Sequence, residues 1–213
     1  MEPFYYIEQT PTVASEKAPL IVLIHGYGSN ERDLFSFAGE LPADAYIISV
    51  RAPHELGPES YAWFHLNFLA DNTRFSDIPQ GLASRDGLAA LIKELTTKLP
   101  VDAENVTLIG FSQGCILSYA IALTYPGLIK DVVGLSGYLN HELIQIPEKA
   151  DFGKLRFFVS HGSVDQVVPV DWARKAPGYL EELGIPVTYK EYPVGHGVAP
   201  QNFYEFRRWM ETK

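Results

Sequence analysis

The sequence predicts an α/β protein built on a doubly wound, mostly parallel sheet with helices on both faces. Three observations carry that expectation. Strand-like and helix-like stretches alternate along the chain, the order that produces parallel strands joined by helical crossovers. The strongest strand candidate, Leu20-Ile-Val-Leu-Ile24, is continuously apolar, as a strand covered on both faces should be. Finally, Val106-Thr-Leu-Ile109 runs through Gly110-Phe111-Ser112-Gln113-Gly114 into a helical segment, which gives strand, sharp turn and helix in succession.

The elements follow in order. Strands are expected over residues 4–9 and 19–25. The loop His25-Gly26-Tyr27-Gly28-Ser29-Asn30 is glycine-rich and polar and leads into a helix over 31–39. A strand over 45–50 precedes a long stretch, 51–78, with Pro53, Gly57 and Pro58 and no clear period. Within it, the aromatic segment 61–69 has two readings. Trp63, Phe64, Leu66 and Phe68 line an apolar substrate pocket at the strand ends, or the segment packs over the sheet edge.

A helix is expected over 79–99, capped by Asp77, with Leu88, Leu91, Ile92, Leu95 and Leu99 on one face and Pro100 closing it. After the pentapeptide, Gly114, Ser118 and Ala122 recur every fourth residue, a small-residue stripe that lets a helix lie close on a sheet. Tyr125-Pro126-Gly127 stops that helix. Strands over 131–135, 154–161 and 186–192 complete the sheet. A helix over 171–183 should be kinked or split by Pro177, and a last helix over 200–211 should bury Phe203, Phe206 and Met210. No linker, repeat or low-complexity run divides the 213 residues, so one domain is expected.

Composition narrows the function. A formal charge of -9 without a clustered Lys/Arg stripe argues against nucleic acid and anionic membrane surfaces as partners. No run of apolar residues is long enough for a membrane span, and the N-terminal stretch lacks the basic flank and apolar core of a signal peptide. The one cysteine, Cys115, reads as a small buried hydrophobe and fits a reducing, cytoplasmic setting. No metal site is expected, because no His/Asp/Glu cluster has ligand spacing, and no cofactor is implied. A small-molecule substrate is left.

The pentapeptide supplies the chemistry. In a strand-turn-helix elbow the serine takes a strained backbone conformation with its hydroxyl exposed, and side chains two residues either side would collide with strand and helix. Gly110 and Gly114 remove those collisions. Chance alone would put such a pentapeptide in a chain of this composition about 0.07 times. The similar Gly134-Leu-Ser136-Gly-Tyr138 lacks the last glycine and a following helical pattern, so it reads as a strand end.

A serine hydroxyl needs a base, and the base needs an orienting carboxylate. Asp165 lies in a glycine-containing loop after the 154–161 strand, and His196 lies after the last strand, so the chain order Ser112, Asp165, His196 is the one expected after an elbow. Tyr27 and Gln113 are the expected oxyanion donors through their backbone N–H groups. Asp171 is the rival carboxylate but reads as a helix cap, while His25 and His161, before glycines at strand ends, read as structural. Activity that uses His196 as base should rise across pH 5 to 8, and a flat rate profile would contradict that base.

Four segments, Leu23-Ile-His25-Gly26-Tyr27-Gly28, Gly110-Phe-Ser112-Gln113-Gly114, His161-Gly-Ser-Val-Asp165-Gln-Val-Val-Pro169 and Tyr192-Pro-Val-Gly195-His196-Gly197, together resemble the phospholipase/carboxylesterase family of α/β-hydrolases. That family includes acyl-protein thioesterases and small bacterial carboxylesterases, and Trp63-Phe64 also resembles its Trp-Phe pair. The resemblance implies the triad Ser112, Asp165 and His196, with Tyr27 and Gln113 at the oxyanion. The chain departs from the family pattern at His65, Cys115 and Gly197, none of which removes a catalytic group. The expectation is an α/β-hydrolase fold without a large lid domain. Its expected activity is that of a serine carboxylesterase for short- to medium-chain acyl esters, with thioesters and lysophospholipids as further candidates. A serine peptidase or amidase with the same triad, and a non-catalytic ligand-binding protein on this fold, are the alternatives.

Overall fold

The computed structural model describes residues 3–68 and 74–212, with the side chains at 67, 68, 74 and 75 outside that description. Strands and helices are numbered along the chain. β1 (Tyr6–Gln9), β2 (Ala18–Ile24) and β3 (Tyr46–Val50) are followed by the short strands β4 (His54–Gly57), β5 (Ser60–Ala62), β6 (Leu66–Phe68) and β7 (Arg74–Ser76). β8 (Val101–Phe111), β9 (Asp131–Leu135), β10 (Arg156–Gly162) and β11 (Val187–Tyr192) come after them. One seven-stranded sheet has the order β1-β3-β2-β8-β9-β10-β11. Only the β1–β3 pairing in it is antiparallel.

The apolar runs explain why β2 and its neighbours are central. Alternate residues of a strand face opposite sides, and both sides of this sheet are covered. Leu20, Val22 and Ile24 enter one core, which also holds Leu88, Leu117 and Leu180. Ile21 and Leu23 enter the other, with Leu34, Phe203 and Phe206. Thus α2 (Ile78–Lys98), α3 (Gln113–Thr124) and α5 (Lys175–Glu182) cover one face, and α1 (Arg32–Phe35) and α6 (Pro200–Glu211) the other. This is the doubly wound arrangement, and it places the loops after β2, β8, β9, β10 and β11 along one edge.

Several elements match the expected bounds closely. Asp77 caps α2 by accepting the Gln80 N–H at 3.1 Å, with Leu88, Ile92 and Leu95 buried and Leu91 and Leu99 half-buried. Phe203 and Phe206 of α6 are buried, and Met210 is half-buried. Cys115 is fully buried, and burial pushes its thiol far above the ordinary range. Others differ, for identifiable reasons. The expected 31–39 helix is only the single turn α1 plus a 3-10 turn at Ala38–Glu40, and Leu41 is extended as its position before Pro42 demands. The stretch 51–78 holds two hairpins, β4–β5 and β6–β7.

The expected 171–183 helix is broken into α4 (Val170–Ala173) and α5 at Arg174. Pro177 accounts for the break three residues earlier, because its ring clashes with the carbonyl of Ala173, four residues back, and it has no N–H to offer. Asp171 is not the cap of this helix. Pro169 holds that position, and Asp171 sits in the first turn, paired with Arg174 Nη1 at 2.7 Å.

A buried ion pair locks β3 to the loop after β2. Arg51 Nε and Nη2 donate to the Glu31 carboxylate at 2.6 and 2.7 Å, and the guanidinium lies 4.3 Å from the Tyr5 ring centroid and 4.7 Å from that of Tyr61. The Glu31 side chain has no exposed surface, and the Arg51 hydrogen bonds hold its carboxyl below the ordinary 4.5. Glu31→Gln is expected to cost about 3 kcal/mol by leaving Arg51 unpaired. Because the folded carboxyl is held low, this contribution is complete above about pH 4.5 and is lost as pH falls through the folded value. Denaturant titrations of both proteins should show the gap at pH 7 and its narrowing toward pH 3.

Candidate active site

The elbow forms where the sequence places it. Ser112 has φ 52° and ψ -112°, a conformation that L-residues rarely adopt, directly between β8 and α3. Both flanking glycines are sterically required. A Cβ on Gly114 would overlap the backbone carbonyl of Ile24, and one on Gly110 would overlap the Gly114 carbonyl and Ser118 Oγ. The small stripe serves the same close approach, since Gly114, Ser118 and Ala122 are all buried against the sheet.

Three loops then bring three side chains together. His196 Nε2 lies 3.0 Å from Ser112 Oγ, and His196 Nδ1 lies 2.7 Å from Asp165 Oδ2. The carboxylate accepts at Nδ1, so that nitrogen carries the hydrogen and Nε2 turns its lone pair to the serine. Asp165 Oδ1 accepts the N–H groups of Val167 and Val168 at 2.8 and 2.9 Å. Burial alone would push the Asp165 carboxyl up. The hydrogen bonds from His196, Val168 and Val167 outweigh it and hold the carboxyl below its ordinary value. The Phe111 ring packs against His196 with centroids 4.9 Å apart.

The expected oxyanion donors flank the serine. A Cβ placed on Gly26 would lie 3.3 Å from Ser112 Cβ, so the Gly26–Tyr27 turn adjoins the nucleophile. Gly28 N donates to Tyr61 O and Tyr61 N to Ser29 O, both at 2.8 Å, which staples this turn to β5. Gln113 opens α3, and its carboxamide accepts from Trp63 N at 2.9 Å and donates to Phe64 O at 2.6 Å. Trp63 Nε1 donates to the His25 carbonyl at 2.8 Å. Both expected donor segments are therefore tied to residues 61–64.

That wiring corrects one expectation. Trp63 and Phe64 have no exposed surface and pack into the core, so they do not line an open pocket. Leu66 is half-buried, and the side chain of Phe68 lies outside the described residues, as does Leu69. A cleft of about 490 Å³ lies instead beside the loop after β9, walled by Tyr138, Leu139, Asn140 and Trp172. It starts one residue beyond Gly137, where a Cβ would lie 3.0 Å from the Ser112 carbonyl.

His25 is fully buried. Its Nδ1 donates to Gly26 O at 2.7 Å and its Nε2 accepts from Ala52 N at 3.1 Å. Burial lowers its pKa despite the Gly26 contact, so it stays neutral and structural. Among the described residues no group of three or more His, Cys, Asp or Glu is placed to hold a metal ion, and no helix is long and apolar enough to cross a membrane. Sequence reasoning missed the side-chain task of Gln113 and the packing of Phe111 on His196, for which spacing along the chain carries no signal.

A mostly parallel sheet with a strained serine at the exit of a central strand, facing a histidine and a carboxylate from later loops, has the α/β-hydrolase fold. The chain belongs to the phospholipase/carboxylesterase family, whose sequence model matches residues 8–213. It is 34% identical over 143 residues to acyl-protein thioesterase 1 of Aspergillus fumigatus, covering 65% of this chain and 59% of that protein. A probable carboxylesterase of Oryza sativa is 28% identical over 156 residues, with 58% of its length covered. Each of these two alignments spans less than two thirds of the relative. Acyl-protein thioesterase 1 of Yarrowia lipolytica aligns over 98% of this chain and 97% of its own at 26% identity. Among solved structures, esterase PE8 superposes with TM-score 0.84 at 25% identity, covering 98% of both chains.

Proposed function

We propose that this protein is a serine esterase that hydrolyses short- to medium-chain acyl esters through an acyl-Ser112 intermediate, with thioesters and lysophospholipids within the same reaction class. The observation that carries the reading is the continuous relay Ser112 Oγ, His196, Asp165, at 3.0 and 2.7 Å. In this scheme His196 Nε2 takes the Oγ proton as the oxygen attacks the ester carbonyl, then returns it to the departing alcohol or thiol. The N–H groups of Tyr27 and Gln113 bind the oxyanion, and a water activated by His196 releases the acid. Asp165, ionised across the neutral range, holds the imidazole tautomer and offsets its transient charge.

We assign one arm of the ester to the cleft that Tyr138 and Trp172 share with Ser76, His141, Glu142 and Lys175, since the buried Trp63 and Phe64 cannot receive it. A fully buried single cysteine suits a cytoplasmic setting. The test is a panel of matched esters, thioesters and amides with acyl groups from acetyl to palmitoyl. Turnover of esters or thioesters with the amides at background supports the proposal. Preferred amide cleavage would replace it with a peptidase or amidase.

A further inference from the structure

His161 stands near the end of β10 and is fully buried. Its Nε2 lies 2.8 Å from the Val168 carbonyl oxygen, which only accepts, so Nε2 carries a hydrogen. The same nitrogen lies 3.2 Å from Asp165 Oδ2, the oxygen that His196 Nδ1 also contacts. Val168 in turn gives its N–H to Asp165 Oδ1. The His161 ring is therefore fastened to the far side of the loop that carries the carboxylate. Its N–H edge lies against Oδ2, the oxygen that His196 Nδ1 contacts, while the N–H groups of Val167 and Val168 hold Oδ1. His161 Nδ1 has no hydrogen-bond partner among the described residues, so the ring's one polar attachment is this loop.

We propose that His161 is a positioning residue for the Asp165–His196 pair. Its Nε2–H pins Val168, and with it the N–H groups that hold Oδ1, while it presents a donor edge to Oδ2. The carboxylate then cannot swing away from His196 Nδ1. A histidine that merely filled space at the strand end would stabilise the fold and leave the rate per folded molecule alone. The inference rests on the triad reading of Ser112, Asp165 and His196.

Two substitutions separate these roles. In His161→Gln the amide nitrogen falls near the position of Nε2 and keeps the donor. In His161→Asn the amide nitrogen falls near Nδ1 and cannot reach Val168 or Asp165. Active-site titration with an organophosphate counts the competent molecules, and kcat is expressed per titrated site. His161→Asn is expected to lower kcat by about 10- to 100-fold with KM within about twofold, the loss usual for a group that orients a reacting residue. His161→Gln is expected to restore kcat to within about fivefold of the wild type.

Equal kcat in the two variants, or a loss confined to KM or to the titratable fraction, would overturn the inference. If His161→Asn does not fold, the Gln variant alone decides, and a kcat more than about tenfold below the wild type contradicts the proposal. A wild type without a titratable serine would overturn the triad reading itself. A titratable wild type whose kcat is indifferent to His161 would overturn this inference alone.

Discussion

Ser112→Ala is expected to lower kcat on the order of 10⁶-fold, because in the proposed mechanism it removes the atom that becomes acylated and the other members of such a triad act only through it. Initial rates on the best ester of the panel provide the measurement. The fold should survive, since alanine keeps the Cβ and only Oγ, with its 3.0 Å contact to His196, is lost. The strained backbone gives a second readout. At φ 52° and ψ -112° glycine is the comfortable residue, so Ser112→Gly should be equally inactive and about 1 kcal/mol more stable. An inactive, stabilised Gly variant would show strain held for catalysis. A destabilised one would show that the elbow does not store it.

Asp165→Asn carries the second-largest expected effect, a loss of about 10⁴ in kcat. The amide presents either the wrong group to His196 Nδ1 or the wrong one to the Val167 and Val168 N–H groups, and the imidazole then loses the tautomer that faces Ser112. Asp171→Asn should stay within about twofold of wild type, because its carboxylate is 79% exposed and pairs with the surface guanidinium of Arg174. Rates of both variants on one substrate, beside their melting temperatures, check the pair. A near-native rate for Asp165→Asn would remove Asp165 from the acid position.

The parts that could be read from the chain are those whose cause is local. Leu20–Ile24 announces a buried strand because every one of its side chains meets core, and Gly110 announces the elbow because its close approach is to Gly114 and Ser118 a few positions on, whereas the carbonyl that requires Gly114 is that of the distant Ile24. Asp77 before Pro79 marks its helix start in the same way. Elements of three or four residues escape such reading. The β4–β5 and β6–β7 hairpins are too short to show a period, and their pairing depends on the register of the partner strand. β8 begins at Val101 although Asp102, Glu104 and Asn105 are polar, because the start of this strand projects beyond the core.

The site divides along the same line. Ser112, Asp165 and His196 each follow a strand and have a glycine within three residues, so the chain marks them, and the sheet order then brings their loops together. The task of the Gln113 carboxamide, 49 and 50 residues from its partners, has no local signature. Nor has the burial of Trp63 and Phe64: an aromatic run looks alike whether it lines a cleft or fills the core beneath one. His161 stands four residues before Asp165, but in a strand-to-loop bend that spacing shows no contact until the loop has closed.

The measurement that tests the central claim most directly is labelling with a fluorophosphonate probe and mapping of the modified peptide, on wild type and on Ser112→Ala. The account predicts one adduct, on Ser112, that disappears in the variant while a melting curve shows the variant folded. A folded wild type that takes no label, or carries it on another residue, would contradict an activated serine at the elbow.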